Sequence, residues 1–434
     1  MSEPEHVCLL GLGRVGLPMA AAIANAGHQV TGVEIDNARR DAIARGESDL
    51  DEPGLAAGVE QALASKRLRL SADAVKAAVY LIAIPTHGSP GEQVEALRAL
   101  AADLLPTLEK GALVVLESTS APGTTRASLG EVFSGAGFTL GEDLFLAHSP
   151  ERVIPGNALA ELAQNARIIG GFTPRCAAKA AAFYRSFSSG PIHQTSLETA
   201  ELTKLVENTF RDVNIALANE LATLGESLGW DMSAAIELAN THPRVGLHHP
   251  GAGVGGACLP LATRMIASFG DHDSGRGAPL LEAARAVNAS TPALLAKKIL
   301  ADLPSGATVA MLGVAYKGNI ADTSETPAKA LLDALRDGGA TVKVHDPYVE
   351  AWPEAHLLPL EQALERADAA VLVTPHERFR ALKPSDLTAM RGRSLFDLCN
   401  ILDAERWTKE GFTLSSRGRP WPDAHASQSV RTVQ

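Results

Sequence analysis

The sequence predicts an α/β protein made of two Rossmann-like doubly wound domains joined by a long central helix. Three observations predict it. Short apolar runs alternate with helical stretches from residue 6 onward, the same alternation returns from about residue 300 to 412, and an unbroken amphipathic stretch, Ser196 to Leu228, lies between them. Strands alternating with helical crossovers are the pattern of a parallel sheet. A long stretch with helical apolar spacing and no proline buries its stripe as a helix. The division this implies is residues 1–195, 196–299 and 300–414, followed by a tail, 415–434.

The first apolar run, HVCLL at 6–10, ends in Gly11-Leu-Gly13-Arg-Val15-Gly16, and the Ala-rich stretch LPMAAAIANAG follows. Strand, tight turn and helix are the context a dinucleotide fingerprint requires. Gly11 allows the turn, Gly13 lets a pyrophosphate approach the backbone, and Gly16 permits close helix–strand packing. The free N–H groups and positive end of the helix then hold phosphate. A second run, QVTGVEI, carries Glu34 eighteen residues after Gly16. A carboxylate there accepts hydrogen bonds from ribose hydroxyls and repels a 2′-phosphate, which favours NAD over NADP. Arg39 and Arg40 are expected on the solvated face of the next helix. The runs AVYLIAIP, ALVVLEST and LFLAHSP continue the first sheet.

On the central helix Lys204 and Asn208 stand four residues apart and share a face, the arrangement of a solvated face or of a site. MSAAIELAN is a further helix, and THPRVGLHHPGAGVGGACLP, residues 241–260, reads as an ordered Gly- and Pro-rich loop that includes Cys258. A cysteine in such a loop is a candidate nucleophile when a cation lies near. Glu151, in HSPER, follows a strand end of the first sheet, where ligands gather. A helix over 278–301 leads to the second alternation: strand 307–315, helix 327–338, strand TVKVHDP, helix 359–366, then strands AAVLVTP and SLFDLCN. The tail from Ser415 is polar and aperiodic and is expected to lack structure.

With 39 basic and 50 acidic residues in 434, the net charge of −11 argues against nucleic acid or an anionic membrane as partner. The sequence contains no apolar run long enough to span a bilayer and no secretory leader ahead of the first strand. Four widely spaced cysteines fit neither a disulfide framework nor a zinc site, and the histidines show no ligand spacing, so the expectation is a cytoplasmic chain with reduced thiols and no metal.

Taken together, GLGRVGLP, AIPT at 83–86, LESTSAPGTT at 116–125, HSPERVIPG at 148–156, ELTKLVENTFRDVNIALANE at 201–220, HPRVGLHHPGAGVGGACLP at 242–260 and GVAYKGNIADTSETP at 313–327 resemble the UDP-glucose/GDP-mannose dehydrogenase superfamily. SPERVIPG and RDVNIA resemble its N-acetylhexosamine branch, which acts on UDP-N-acetyl-D-mannosamine. The resemblance implies a four-electron oxidation of a sugar C6 alcohol to a carboxylate with two NAD⁺, through a thiohemiacetal and thioester on Cys258. It implies that Lys204 and Asn208 stabilise the oxyanion and that Thr119 and Glu151 surround the reacting carbon and its water. Val15, Thr86 and Thr119 join the glycines in the NAD site. Glu151, Arg152, Val153, Lys204, Asn208, Gly255 and Lys317 contact the sugar nucleotide, and Arg244 reaches that of a neighbouring subunit in a homodimer built on the central helix.

Four positions depart from the family pattern. Ala262 stands where C-x-x-x-D has its aspartate, Ser324 where R-E-S-P has its arginine, Ala321 where aspartate is frequent, and His87 where proline follows Thr86. Loss of a general base or electrostatic group lowers rates by about 10² to 10⁴. The departures leave open an altered substrate, an oxidation that stops early, or a homologue that binds NAD and UDP-sugar without turnover. They also leave Glu151 or Lys204 to promote thioester hydrolysis. A one-step oxidation in the manner of 3-hydroxyacid dehydrogenases is opposed by the Cys258 segment and the second αβ domain.

Overall fold

The inner predicted strands are apolar at consecutive positions, so each offers both faces to helices. The computed structural model, which describes residues 3–48, 50, 52–86, 88–154, 156–269 and 277–421, folds as two compact units, Met1–Leu205 and Val206–Gln434. The long helix Leu197–Leu228 runs through the division.

The first unit holds strands β1 (His6–Leu10), β2 (Gln29–Val33), β3 (Leu68–Ser71), β4 (Val79–Ile82), β5 (Leu113–Leu116), β6 (Phe145–His148), β7 (Arg167–Gly171) and β8 (Ile192–Ser196). They form one sheet in the order β3-β2-β1-β4-β5-β6-β7-β8. From β3 to β6 every pair is parallel, the doubly wound order whose direction of winding reverses at β1 and β4. β7 pairs antiparallel with β6 and parallel with β8. Strand alternation sends Val7 and Leu9 into one buried cluster and Cys8 and Leu10 into another, so the sheet is covered on both faces. Helix α1 (Gly16–Asn25) lies in the first of these clusters, its alanines allowing a close seat. The apolar runs identify the five inner strands. β3, β7 and β8 have weaker signals: β8 is the polar edge strand IHQTS, and β7 ends in two glycines.

In the second unit, β9 (Thr308–Leu312), β10 (Thr341–His345), β11 (Ala369–Leu372), β12 (Ser394–Asp397) and β13 (Thr413–Ser416) form an all-parallel sheet, order β10-β9-β11-β12-β13. Val309 and Met311 enter one core cluster, Ala310 and Leu312 the opposite one. The helix Pro279–Ala301 is fixed to the long helix by polar contacts: Arg285 donates to Asp212 at 2.8 Å and Asn288 donates to the same carboxylate at 2.9 Å.

The structure corrects the tail. Ser415 and Ser416 belong to β13, Trp421 lies in the core, and Arg417 is 1% exposed. Its guanidinium donates to Glu226 and to the Asn219 carbonyl (3.0 Å), both on the long helix, while Lys298 reaches the other Glu226 oxygen at 2.5 Å. Polar composition predicts disorder only when polar groups lack buried partners; here Glu226 provides one. The remainder of the expected tail, 422–434, lies outside the described residues.

Candidate active site

The strand–turn–helix at the start of the chain forms the cradle its glycines anticipate. Gly11 has φ +90°, a conformation costly for a side chain, and a Cβ there would stand 2.7 Å from the Ala83 carbonyl oxygen. A Cβ on Gly16 would stand 1.8 Å from the Gly11 oxygen, whereas one on Gly13 would meet nothing within 4 Å. Turn and packing therefore use two glycines, and the third leaves backbone open to a phosphate. Val15 is the N-cap of α1, and no side chain caps that end. These features fit the pyrophosphate of a dinucleotide.

Glu34 follows β2 and accepts hydrogen bonds from the backbone N–H groups of Asp36 (3.0 Å) and Leu12 (3.4 Å). Arg39 and Arg40, on α2 (Asn37–Ala44), do not face solvent as expected. Arg40 donates to the Glu34 carbonyl at 2.7 Å, and Arg39 Nε lies 3.9 Å from the Glu34 carboxylate. The Asp36 side chain caps this helix by accepting from the Arg39 backbone N–H at 3.1 Å. The cap starts the helix immediately after β2, which folds both arginines back. Thr86 and Thr119, from the loops after β4 and β5, are brought together: the Thr86 hydroxyl donates to the Thr119 carbonyl at 2.6 Å. His87 lies outside the described residues.

After β6, Glu151 accepts from the backbone N–H groups of Arg152 (2.6 Å) and Val153 (2.8 Å) through one oxygen; its other oxygen is buried with no protein hydrogen-bond partner. Arg152 directs its guanidinium to the Ala166 carbonyl. Lys204 and Asn208 occupy one face of the long helix. Lys204 is half-buried, while Asn208 is 4% exposed and its side-chain N–H₂ is buried without a partner. An unsatisfied buried donor is costly in a structural role, on the order of 1–3 kcal/mol, and suited to a negative oxygen that develops during reaction.

Cys258 is the first residue of the helix Cys258–Ser268, a correction to the loop expected through 260. The chain turns at Gly253 and Gly256, both with positive φ, and can begin a helix two residues later, with Pro260 in the first turn where its missing N–H costs nothing. Of the four cysteines it is the exposed one; Cys8 and Cys176 are buried and Cys399 is intermediate. Unpaired N–H groups of a first helical turn favour negative charge nearby.

The loop before Cys258 is held tightly. A Cβ on Gly255 would lie 2.6 Å from the Tyr316 side chain and 3.0 Å from the Glu325 carbonyl oxygen, and the Gly256 N–H donates to the Ser324 carbonyl at 2.9 Å. The segments carrying Gly255, Cys258, Lys317 and Ser324 are thus neighbours. Ala262, one turn beyond Cys258, is 1% exposed. Arg264 and Glu325 pair at 3.1 Å on the surface. Arg244 is not gathered with these residues; it sits exposed against the His242 ring.

Several contributors carried no distinct signal in the sequence. Glu201, near the start of the long helix, accepts from the backbone N–H groups of Gly123 (2.6 Å) and Thr125 (2.7 Å), tying down the STSAPGTT loop. Burial pushes its carboxyl above the usual range. In a helix, such a residue reads as a solvated glutamate. In the second unit Asp346 is fully enclosed: His376 lies 3.1 Å away and the Val314 and Tyr348 N–H groups donate at 2.7 and 2.9 Å. Burial alone would raise its pKa, but these donors hold it at about 2. Because the His376 Nδ1 accepts from the Asn319 N–H at 2.9 Å, this pair anchors the loop that carries Lys317.

Residues 5–188 match the NAD binding domain of the UDP-glucose/GDP-mannose dehydrogenase family, 198–290 its central domain and 310–404 its UDP binding domain. The chain belongs to the UDP-glucose/GDP-mannose dehydrogenase family. It is 36% identical over 428 residues to a UDP-N-acetyl-D-mannosamine dehydrogenase of Methanococcus maripaludis, covering 95% of this chain and 97% of that one. A UDP-N-acetyl-D-mannosamine dehydrogenase of Pyrococcus horikoshii is 38% identical over 408 residues, covering 92% and 96%. The solved UDP-D-ManNAc dehydrogenase from that organism superposes with a TM-score of 0.85 at 36% identity, over 95% of this chain and 99% of the other. As a family member this dehydrogenase takes NAD as cofactor. Among the described residues no helix is long and apolar enough to cross a membrane.

Proposed function

We propose that this dehydrogenase oxidises the C6 alcohol of a UDP-N-acetylhexosamine, of the UDP-N-acetyl-D-mannosamine type, to the uronate. The observation that carries the reading is Cys258: an exposed thiol at a helix start, behind glycines that leave no room for side chains, in a family with an NAD binding domain and a UDP binding domain. NAD supplies the oxidising power, accepting a hydride in each of two rounds. Overall, R–CH₂OH, two NAD⁺ and water give R–COO⁻, two NADH and three protons.

Within that scheme Glu151 takes the hydroxyl proton during the first oxidation, and the Cys258 sulfur then adds to the aldehyde carbon. Asn208, with its unpartnered donor, and Lys204 stabilise the oxygen that becomes negative as sulfur adds. The second oxidation leaves a thioester, and water held by Thr119 and Glu151 cleaves it and returns the thiol. Thr86, Thr119 and Val15 line the NAD site, and Arg152, Val153, Gly255 and Lys317 contact the sugar nucleotide. The homodimer forms through the long helix, whose Val206, Phe210, Leu217, Leu224 and Leu228 are exposed, and Arg244 reaches the second copy's substrate.

Ala262 favours a second version. It lies one turn from Cys258 on the same helix and is an apolar, buried residue where the family pattern has a carboxylate, so thioester hydrolysis is slow or the oxidation stops early. Incubation with NAD⁺ and a panel of UDP-hexoses and UDP-N-acetylhexosamines, reading NADH and product mass, decides. Two NADH per carboxylate from an N-acetylhexosamine supports the full oxidation; one NADH per product supports the shorter version. Cys258→Ala is expected to abolish carboxylate formation, and normal carboxylate yield from that variant would overturn covalent catalysis.

A further inference from the structure

Behind Glu151 lies a buried ionisable cluster that the reaction scheme does not use. Glu117 directly follows β5, Ser149 and Glu151 follow β6, Arg167 begins β7 and Tyr184 ends the helix Pro174–Tyr184. β7 runs antiparallel to β6, so its first residue stands at the end of the sheet where β5 and β6 finish. Reversal of one strand thereby delivers a guanidinium to the carboxyl ends of its neighbours. Glu117 is 1% exposed, Arg167 7% and Tyr184 0%. The Tyr184 hydroxyl donates to one Glu117 oxygen; Arg167 lies 3.6 Å from the other, donates to the Ser149 hydroxyl at 3.3 Å and stacks over the Tyr184 ring.

Around Glu117 the cluster holds one permanent cation and two carboxyl groups; Arg152, which donates to the Ala166 carbonyl, and Glu161, which accepts from the Ile154 N–H, line the cavity beside Glu151 and add one charge of each sign. A single buried guanidinium balances a single buried negative charge, and two carboxylates in one enclosed site do not both ionise readily. Glu151 and Arg167 also line a small cavity of about 10 Å³, room for one water. The second Glu151 oxygen and Arg167 Nε are both buried without protein partners. Burial pushes the Glu117 carboxyl up to about 8, with the Arg167 charge opposing and the Glu151 charge adding to the rise.

We propose that Glu117 is a positioning residue that keeps its proton at neutral pH, leaving the charge of Arg167 to balance the Glu151 carboxylate. This rests on the reading of Glu151 as the group beside the reacting carbon. The charged or titratable groups facing Glu117 are Arg167 from β7, Glu151 from the loop after β6 and Tyr184 from its helix. When Glu117 ionises it draws Arg167 to itself and leaves the Glu151 carboxylate without that partner, so Glu151 is no longer held beside the reacting carbon and turnover falls on the alkaline side.

Two measurements test this. In the infrared, the wild-type protein at pH 6 should show the carbonyl stretch of a protonated carboxyl that disappears near pH 8 and is missing from Glu117→Gln. In NADH formation, the wild type at pH 9 should fall about tenfold below its plateau along a limb centred near pH 8, while Glu117→Gln stays within about twofold of its own plateau. Tyr184→Phe, which removes one donor to the carboxyl, should move both transitions to higher pH and serves if Glu117→Gln does not fold. A carboxyl already ionised at pH 6, or an alkaline limb unchanged in Glu117→Gln, overturns the proposal. If no sugar nucleotide is oxidised at all, the function proposed above fails, while the infrared titration still decides whether Glu117 holds the proton.

Discussion

Glu34 shows how much a single carboxylate decides. It occupies the end of β2 with two arginines folded against it, so a 2′-phosphate meets repulsion from Glu34 and has cations within reach. Removing the carboxylate while leaving Arg39 and Arg40 should therefore raise the use of NADP relative to NAD. We expect Glu34→Ala to change the ratio of kcat/KM values by about tenfold or more toward NADP, the size of one lost repulsion and one gained ion pair. Comparing initial rates with the two cofactors checks this, and an unchanged ratio would show that the arginines remain tied to the backbone. Residues were legible in the sequence where chemistry and context coincide. Gly11, Gly13 and Gly16 sit between a strand and a helix, and Glu151 follows a strand end. Glu117 follows a strand end too, in LVVLE, and the same signal could have singled it out. Arg167 and Tyr184 could not have been found, because their role depends on a strand reversal that no local pattern encodes.

At the scale of elements, periodicity was informative where apolar content was high. The long helix, the helix Pro279–Ala301 and the inner strands follow from spacing alone. Edge strands such as β8 are polar because they contact little, so their pattern is lost. The Cys258 helix was hidden behind the glycines that precede it. The long helix itself raises a question of partners: its exposed Val206, Phe210 and Leu217, with Val213, Ile266 and Leu281, line a groove of about 500 Å³. Phe210 is 62% exposed, an unusual position for a phenyl ring with apolar neighbours on both sides. If the proposed homodimer forms here, Phe210→Glu should turn it into a monomer in light scattering, with little change in thermal stability of the monomer because the side chain is not in the core. A dimer that persists would place the interface elsewhere.

For the whole molecule, two enclosed groups set opposite limits in pH. Burial holds the His148 ring at about 3, against an ordinary 6.5, and its side chain is 0% exposed. Below pH 6.5 the unfolded chain takes up a proton that the folded chain refuses, so stability present above pH 6.5 is lost as pH falls toward 3, about 2 kcal/mol of it by pH 5. Glu117 has the opposite sign: between its unfolded value of 4.5 and about 8 the folded chain keeps a proton the unfolded chain has released, so stability declines as pH rises through that window. Because the two contributions oppose each other between pH 7 and pH 4, the test is a difference: the thermal midpoint of His148→Asn should rise relative to that of the wild type as pH falls, and parallel curves would place the acid sensitivity in other groups. The two parallel-sheet regions were legible because each repeats the strand–helix alternation. The closing segment was not, since Arg417 and Trp421 resemble any polar tail until Glu226 is seen beneath them.

That pairing also orders events at the ribosome. Glu226 and Arg417 are separated by 191 residues, which at about 5–20 residues per second amounts to roughly 10–40 s of synthesis. Throughout that interval the long helix carries a glutamate whose final partner does not yet exist, with Lys298, made earlier, as an interim companion. Completion of the second unit therefore waits for the segment that carries Arg417, and a message cut short upstream of it leaves Glu226 without its guanidinium partner, an unsealed surface for quality control to find.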